Sequence, residues 1–209
     1  MIAIIDYNAG NLTSVQLAFD HLGIPARITQ APAEILKAER VVFPGVGSAG
    51  TARRNLDALG LSEVMKTVIG HGTPFLGICL GTQIIFDSLE EDGGVQGLGL
   101  IPGSVRRFAP SDPRDKVPHI GWNTVAFLRP HPILAGIESG SEFYFVHSYY
   151  PAPDRAEHVL GETEYGGARF ASVVCAGSLV ATQFHSEKSG RIGLRLLENF
   201  CRWNGKERE

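Results

Sequence analysis

The chain has 209 residues, 44% of them hydrophobic, which suits one domain with a full core. Its formal charge of −3, with no run of like charge beyond the short tail at 206–209, gives no general attraction to nucleic acid or an anionic membrane. No stretch is apolar for the eighteen residues a membrane span needs, no basic leader precedes the first apolar run, and three scattered cysteines form no disulfide framework, so a soluble, cytoplasmic protein is expected.

In chain order, residues 1–5 read as a strand ending at Asp6, followed by the turn-rich Tyr7-Asn8-Ala9-Gly10-Asn11 and a helix with Leu12, Val15, Phe19 and Leu22 on one face. Short strands are expected at 26–29 and 41–43, the latter running into Pro44-Gly45-Val46-Gly47. A helical segment carrying Leu56, Leu59, Val64, Val68 and Ile69 leads to an apolar strand at 75–78. Strands alternating with helices over the first ninety residues or so argue for βαβ units and a parallel sheet. Beyond Glu91 the glycines at 93, 94, 97 and 99 break the pattern, and strand-like runs follow near 105–108, 124–128 and 143–147. A hairpin is expected from 171–174 and 179–184 about Ala176-Gly177-Ser178. A last helix, with Ser189 as N-cap and Ile192, Leu196, Leu197 and Phe200 as its apolar stripe, closes the domain.

The strand at 75–78 delivers Cys79 into a turn bracketed by Gly77 and Gly81. Gly77-Ile78-Cys79-Leu80-Gly81 is a nucleophile elbow with sulfur in place of oxygen. Leu80, Ile84, Ile85 and Leu89 recur at helical spacing, so Cys79 is expected just before a helix N-terminus, whose free N–H groups and positive dipole end favour a thiolate. Taken alone, Cys79 reads equally as a nucleophile or as a small core residue; Cys175 and Cys201 read as packing.

Gly45-Val46-Gly47-Ser48-Ala49-Gly50 is a literal G-x-G-x-x-G between strand and helix. A dinucleotide site would also need an acidic residue at the end of the next strand, and that strand ends in Cys79. The same glycines serve instead as a loop of exposed N–H groups beside the elbow.

A second half-site lies at Gln183-Phe184-His185-Ser186-Glu187-Lys188. In extended chain, residues two apart share a side, so Glu187 can accept from one nitrogen of His185 while the other takes a thiol proton. Cys79, His185 and Glu187 then form nucleophile, base and orienter. None of the seven histidines has His-x-x-x-His spacing, and no metal site is expected. His21, His71, His119, His131 and His158 read as loop or helix-surface residues, and His147 as either structural or substrate-lining.

Together, Pro44-Gly45-Val46-Gly47, the Gly77-to-Gln83 elbow and His185-Ser186-Glu187 resemble the class I (triad) glutamine amidotransferases. His119-Ile120-Gly121-Trp122-Asn123, Tyr144-Phe145-Val146-His147-Ser148-Tyr149 and the opening loop resemble the branch that supplies the glutaminase subunit of imidazole glycerol phosphate synthase, in histidine biosynthesis, and the likeness spans essentially the whole chain. It implies a flavodoxin-like three-layer α/β fold, with a mostly parallel sheet, helices on both faces and an added antiparallel hairpin region, over a single glutaminase domain. It also implies glutamine hydrolysis through a Cys79 thioester, with no cofactor. Oxyanion donors would come from Leu80 and from Val46 or Gly47. Gln83 and the backbone of Gly47, Ser148 and Tyr149 would hold the substrate. Ammonia would pass to a separate (β/α)8-barrel cyclase, in a heterodimer faced by Asn11, Trp122, Asn123, Tyr144 and Lys188. Two positions depart from the family pattern: Ser186 replaces the usual proline, and Ala49 stands where many relatives carry an aromatic residue. The alternatives are a glutaminase of another amidotransferase pathway, a catalytically silent partner-binding subunit and an α/β cysteine hydrolase.

Overall fold

The first apolar run forms β1 (Ile2–Ile5), and all four of its residues are buried, because alternate side chains enter cores on opposite faces of one sheet. The computed structural model describes residues 1–8 and 11–207. Ala9 and Gly10 of the opening loop, and Arg208 and Glu209 of the charged tail, lie outside the described residues.

The chain continues through α1 (Leu12–His21), β2 (Ala26–Thr29), α2 (Pro32–Leu36), β3 (Arg40–Gly45), α3 (Ala49–Ala58), α4 (Leu61–Gly70) and β4 (Phe75–Cys79). After a single turn, α5 (Leu80–Gln83), come β5 (Phe86–Leu89), β6 (Val95–Gln96), β7 (Ile101–Arg107), β8 (His119–Phe127), β9 (Ser141–His147), β10 (Tyr149–Pro153), β11 (Val159–Tyr165), β12 (Ala168–Ala176), β13 (Leu179–Thr182) and α6 (Gly190–Arg202). A nine-stranded sheet runs β2-β1-β3-β4-β13-β12-β11-β8-β9. It is parallel from β2 to β13 and antiparallel beyond. The antiparallel part is therefore larger than one hairpin, and a further four-stranded sheet, β10-β7-β5-β6, lies beside it.

The α1/α6 side of the large sheet buries Val15, Phe19, Leu196, Leu197 and Phe200 against Ile2, Ile4, Val42 and Leu76. The other side buries Leu56, Leu61, Met65 and Val68 against Ala3, Ile5, Val41 and Phe43. Each fully buried Leu, Ile or Phe contributes about 1.5–3 kcal/mol, so these two faces dominate stability.

Three expectations need correction. The helix expected across Leu56 to Ile69 is two, broken at Gly60, whose φ of 67° is left-handed. The short α2 was not anticipated. The helix after Cys79 stops at Gln83, and Leu89 lies on a strand. There the β-branched and aromatic run Ile84-Ile85-Phe86 turns its carbonyls to Leu98, Leu100, Ile101 and Gly99 rather than along a helix. Tertiary pairing has overridden a periodicity that fits either state. No helix among the described residues is long and apolar enough to cross a membrane.

Candidate active site

Cys79 sits at the carboxyl end of β4 with φ 56° and ψ −109°, a left-handed conformation that a side-chain-bearing residue adopts only when its surroundings enforce it. Enforcement comes from packing: a Cβ on Gly81 would lie 2.0 Å from the Phe43 carbonyl oxygen, and one on Gly77 2.9 Å from the Ala181 Cβ. Bare backbone at both points lets the turn close onto β3 and β13. With α5 only four residues long, the dipole expected behind the sulfur shrinks to the N–H groups of one turn.

β13 lies parallel to β4, with Thr182 paired to Ile78, and the chain leaving it brings His185 beside Cys79. The His185 N–H donates to the Tyr144 carbonyl at 2.9 Å. The Ser189 hydroxyl donates to the His185 carbonyl at 2.6 Å and accepts from the Tyr144 N–H at 3.0 Å. Ser189 thus stands at the N-cap position of α6 without capping it, and its side chain pins the His185 backbone instead. The ring Nδ1 is 2.7 Å from Glu187 Oε1, which also accepts from Asn11 Nδ2 at 2.9 Å. The Glu187 side chain is fully buried. Burial alone would lower the His185 pKa, but the Cys79 sulfur and the Glu187 carboxylate outweigh it and raise the value to about 10. Nε2, beside the sulfur, is buried and makes no hydrogen bond of good geometry among the described residues. Ser186 is buried, and its hydroxyl has no hydrogen-bond partner among the described residues.

A cavity of about 310 Å³ opens over the sulfur and is lined by Val46, Gly47, Leu80, Gln83, Ser148 and Tyr149 together with Cys79 and His185. All the residues assigned from sequence to nucleophile, base, oxyanion and substrate therefore border one space, with Glu187 behind His185. A larger cavity, about 730 Å³ near Phe127 and Glu207, holds none of them. Gln83 Nε2 donates to the Tyr149 carbonyl at 2.9 Å and to Gln183 Oε1 at 3.0 Å. The Val46 N–H donates to the Tyr7 hydroxyl at 3.2 Å.

Glu91, His147, Val146 and Pro118 also line the cavity and were not assigned to it from sequence, apart from His147, for which a substrate-lining place was one of two readings. The Glu91 carboxylate accepts from the Ala49 N–H at 2.8 Å and Asp92 from the Gly50 N–H at 3.0 Å, fastening the loop after β5 to the start of α3. Burial, with the charge of Asp92, raises the Glu91 pKa. No sequence signal separated Glu91 from its acidic neighbours. His119 and His131 are buried, 3% and 5% exposed, rather than at the surface. Aromatic neighbours, Tyr165 and Phe145 for His119 and Trp203 for His131, hide rings whose flanking prolines read as loop.

Of the residues expected at a partner surface, Trp122 is 55% exposed and packs edge-on to half-buried Tyr144, and Lys188 is exposed. Asn11 turns its amide to Glu187, and Asn123 donates to the Glu164 carbonyl at 3.0 Å. Ile120, 60% exposed on β8, adds an apolar side chain that was not singled out.

The family model for Glutamine amidotransferase class-I matches residues 3–203. The chain belongs to this family. Among relatives of this class I amidotransferase, imidazole glycerol phosphate synthase subunit HisH of Moorella thermoacetica is 50% identical over 199 residues, covering 95% of this chain and 93% of the relative. The same-named subunit of Nitratidesulfovibrio vulgaris is 50% identical over 208 residues, covering 97% and 96%. A solved glutamine amidotransferase superposes with a TM-score of 0.72 at 19% identity, over 98% of this chain and all of the other, which shows that the amidotransferase fold is shared.

Proposed function

We propose that this chain is the glutaminase subunit of imidazole glycerol phosphate synthase, a single cytoplasmic glutaminase domain that hydrolyses glutamine and passes ammonia to a separate (β/α)8-barrel cyclase. The observation that carries the reading is the line Cys79, His185 Nε2, His185 Nδ1, Glu187 Oε1 beside a cavity of about 310 Å³, in a chain half identical to HisH subunits over nearly its whole length.

Cys79 sulfur, as thiolate, attacks the side-chain carboxamide carbon of glutamine. The resulting oxyanion is met by the Leu80 N–H and an N–H of the Val46 and Gly47 loop, each such donor contributing about 3 kcal/mol to the transition state. His185, held protonated, gives its Nε2 proton to the leaving nitrogen, and ammonia departs from the thioester. His185 then takes a proton from water, whose oxygen attacks the thioester and releases glutamate and the sulfur. Glu187 orients the ring throughout and stabilises its charged form. Gln83 and the backbone of Gly47, Ser148 and Tyr149 hold the amino-acid end, and the half-buried Glu91 carboxylate at the cavity wall complements the α-ammonium group. Free ammonia in neutral water is mostly protonated, so an adjoining acceptor site makes the reaction useful. Exposed Trp122, Lys188 and Ile120, with Tyr144, Asn123 and Asn11, offer the surface for the cyclase, which uses ammonia to form imidazole glycerol phosphate and an aminoimidazole-carboxamide ribonucleotide.

Mixing the purified chain with that cyclase, its phosphoribulosyl nucleotide substrate and glutamine raises glutamate release at least about tenfold over the chain alone; equal rates would sink the partner-dependent part of the reading.

The hydrogen bond from Val46 to Tyr7 gives a second expectation. While the Val46 N–H serves the Tyr7 hydroxyl it is not free to serve the oxyanion. Tyr7→Phe removes that acceptor from a ring that is otherwise buried. Glutamate release by the chain alone then rises about tenfold, while the cyclase-activated rate stays within about twofold, since one oxyanion donor is worth at least that much. A basal rate left unchanged would show that the bond does not restrain the loop.

A further inference from the structure

Two buried imidazoles stand between β8 and the cavity. His147 ends β9 and lines the cavity, and His119 begins β8 directly opposite it in the antiparallel register. Their neighbours fix where each proton sits. His147 Nδ1 is 2.8 Å from the Tyr149 carbonyl oxygen, which can only accept, so Nδ1 carries the hydrogen. Burial keeps both rings neutral, with pKa values lowered to about 3 for His147 and about 4 for His119. His147 Nε2 is therefore a bare acceptor, 3.0 Å from His119 Nδ1, which must donate to it. That leaves His119 Nε2 as an acceptor, and Asn123 Nδ2 supplies an N–H from 3.3 Å while also donating to Glu164. Every bond in the series Asn123, His119, His147, Tyr149 thus points the same way, toward a carbonyl that also receives Gln83 Nε2.

The rings cannot turn freely. His119 stacks on Tyr165 with centroids 3.9 Å apart and on Phe145 at 5.0 Å, and Phe108 and Phe170 pack edge-on to His147.

We propose that His119 is a positioning residue that acts through His147: the pair forms a neutral one-way hydrogen-bond relay from Asn123 on the partner-facing strand to the Tyr149 carbonyl, fixing the wall against which glutamine lies. This rests on the glutaminase reading. Neither His119 nor Asn123 borders the cavity, so the effect belongs to substrate placement rather than to bond breaking.

The test compares His119→Phe, which keeps the stack and loses the donor, with His119→Asn, whose amide nitrogen takes the place of Nδ1. Glutamate release is measured against glutamine concentration with cyclase and nucleotide present. His119→Phe raises KM for glutamine about tenfold with kcat within about twofold, the scale of one lost buried hydrogen bond, and His119→Asn returns KM to within about threefold of the unaltered chain. An unchanged KM in His119→Phe, a loss confined to kcat, or equal impairment in both variants overturns the proposal. Nitrogen-15 NMR of the unaltered chain at neutral pH tests the relay without any substitution: both rings read as Nδ1–H tautomers, and an Nε2–H or charged form of either overturns it. If the unaltered complex releases no glutamate, the glutaminase reading fails, and the relay is still judged on its tautomers.

Discussion

Cys79→Ala abolishes glutamine-dependent turnover by the complex, a loss of roughly 10⁶-fold in kcat by analogy with removal of other covalent nucleophiles, and leaves turnover on added ammonia within about twofold. The split follows from the geometry. Besides His185, the neighbours of the sulfur at the strained elbow are the Val146 carbonyl and the Gln183 amide, each at 3.9 Å, and neither is a substitute nucleophile. The exposed Trp122 and Lys188 take no part in the elbow, so partner docking survives the change. The assay is product formation by the complex with glutamine or with an ammonium salt as nitrogen source. Glutamine use that persisted would remove Cys79 from the mechanism, and loss with both nitrogen sources would mean that the substitution damages the assembly.

Gly81→Ala destabilises the fold by about 3 kcal/mol or more, a fall in Tm of roughly 6–12 °C for a chain of this size. The reason is steric. The added methyl would meet the Phe43 carbonyl oxygen at 2.0 Å, and that oxygen belongs to the backbone of a central strand, which cannot swing aside as a side chain can. To fit, α5 must lift off β3 and carry Cys79 with it, so glutaminase activity falls as well. Gly70→Ala is the control: it ends α4 with open space around its Cβ position and without a left-handed φ, and should be neutral or stabilising by up to about 1 kcal/mol. Thermal unfolding of the two variants beside the unaltered chain gives the comparison, and a Gly81→Ala Tm within a degree or two would contradict the packing account.

Much of this arrangement was legible in the sequence because it is written in local chemistry. The alternation of apolar runs and helical stripes up to Cys79 reports strands buried on both faces, and β1, β2 and β4 emerge close to the expected positions. The two glycines about Cys79 and the His-x-Glu spacing mark a turn and a shared face that need no distant information. What escaped was set by distant partners. Ile84 and Ile85 fit a helical stripe as well as they fit the chain into β5, and only the carbonyl acceptors offered to Leu98 and Leu100 decide between them. His119 and His131 are flanked by prolines in sequence, Pro118 for one and Pro130 and Pro132 for the other, and the aromatic rings that bury them come from elsewhere in the chain. Glu91 is one of four acidic residues among 87–92, and its place at the cavity wall depends on how the loop after β5 returns to α3.

The neighbouring positions of β4 and β13 have a consequence for how such a protein can diverge. The sulfur and the imidazole are delivered by two strands locked rung to rung, Phe75 against Leu179 through Ile78 against Thr182. Their separation is thus set by main chain, the β4–β13 ladder together with the backbone of Tyr144 on β9 that holds His185, and not by the side chains that the long excursion between them presents outward. That excursion includes β8 and β9, with Ile120, Trp122 and Tyr144 on them. Evolution can accordingly redraw the outward face to suit a new acceptor enzyme while the reactive pair keeps its spacing.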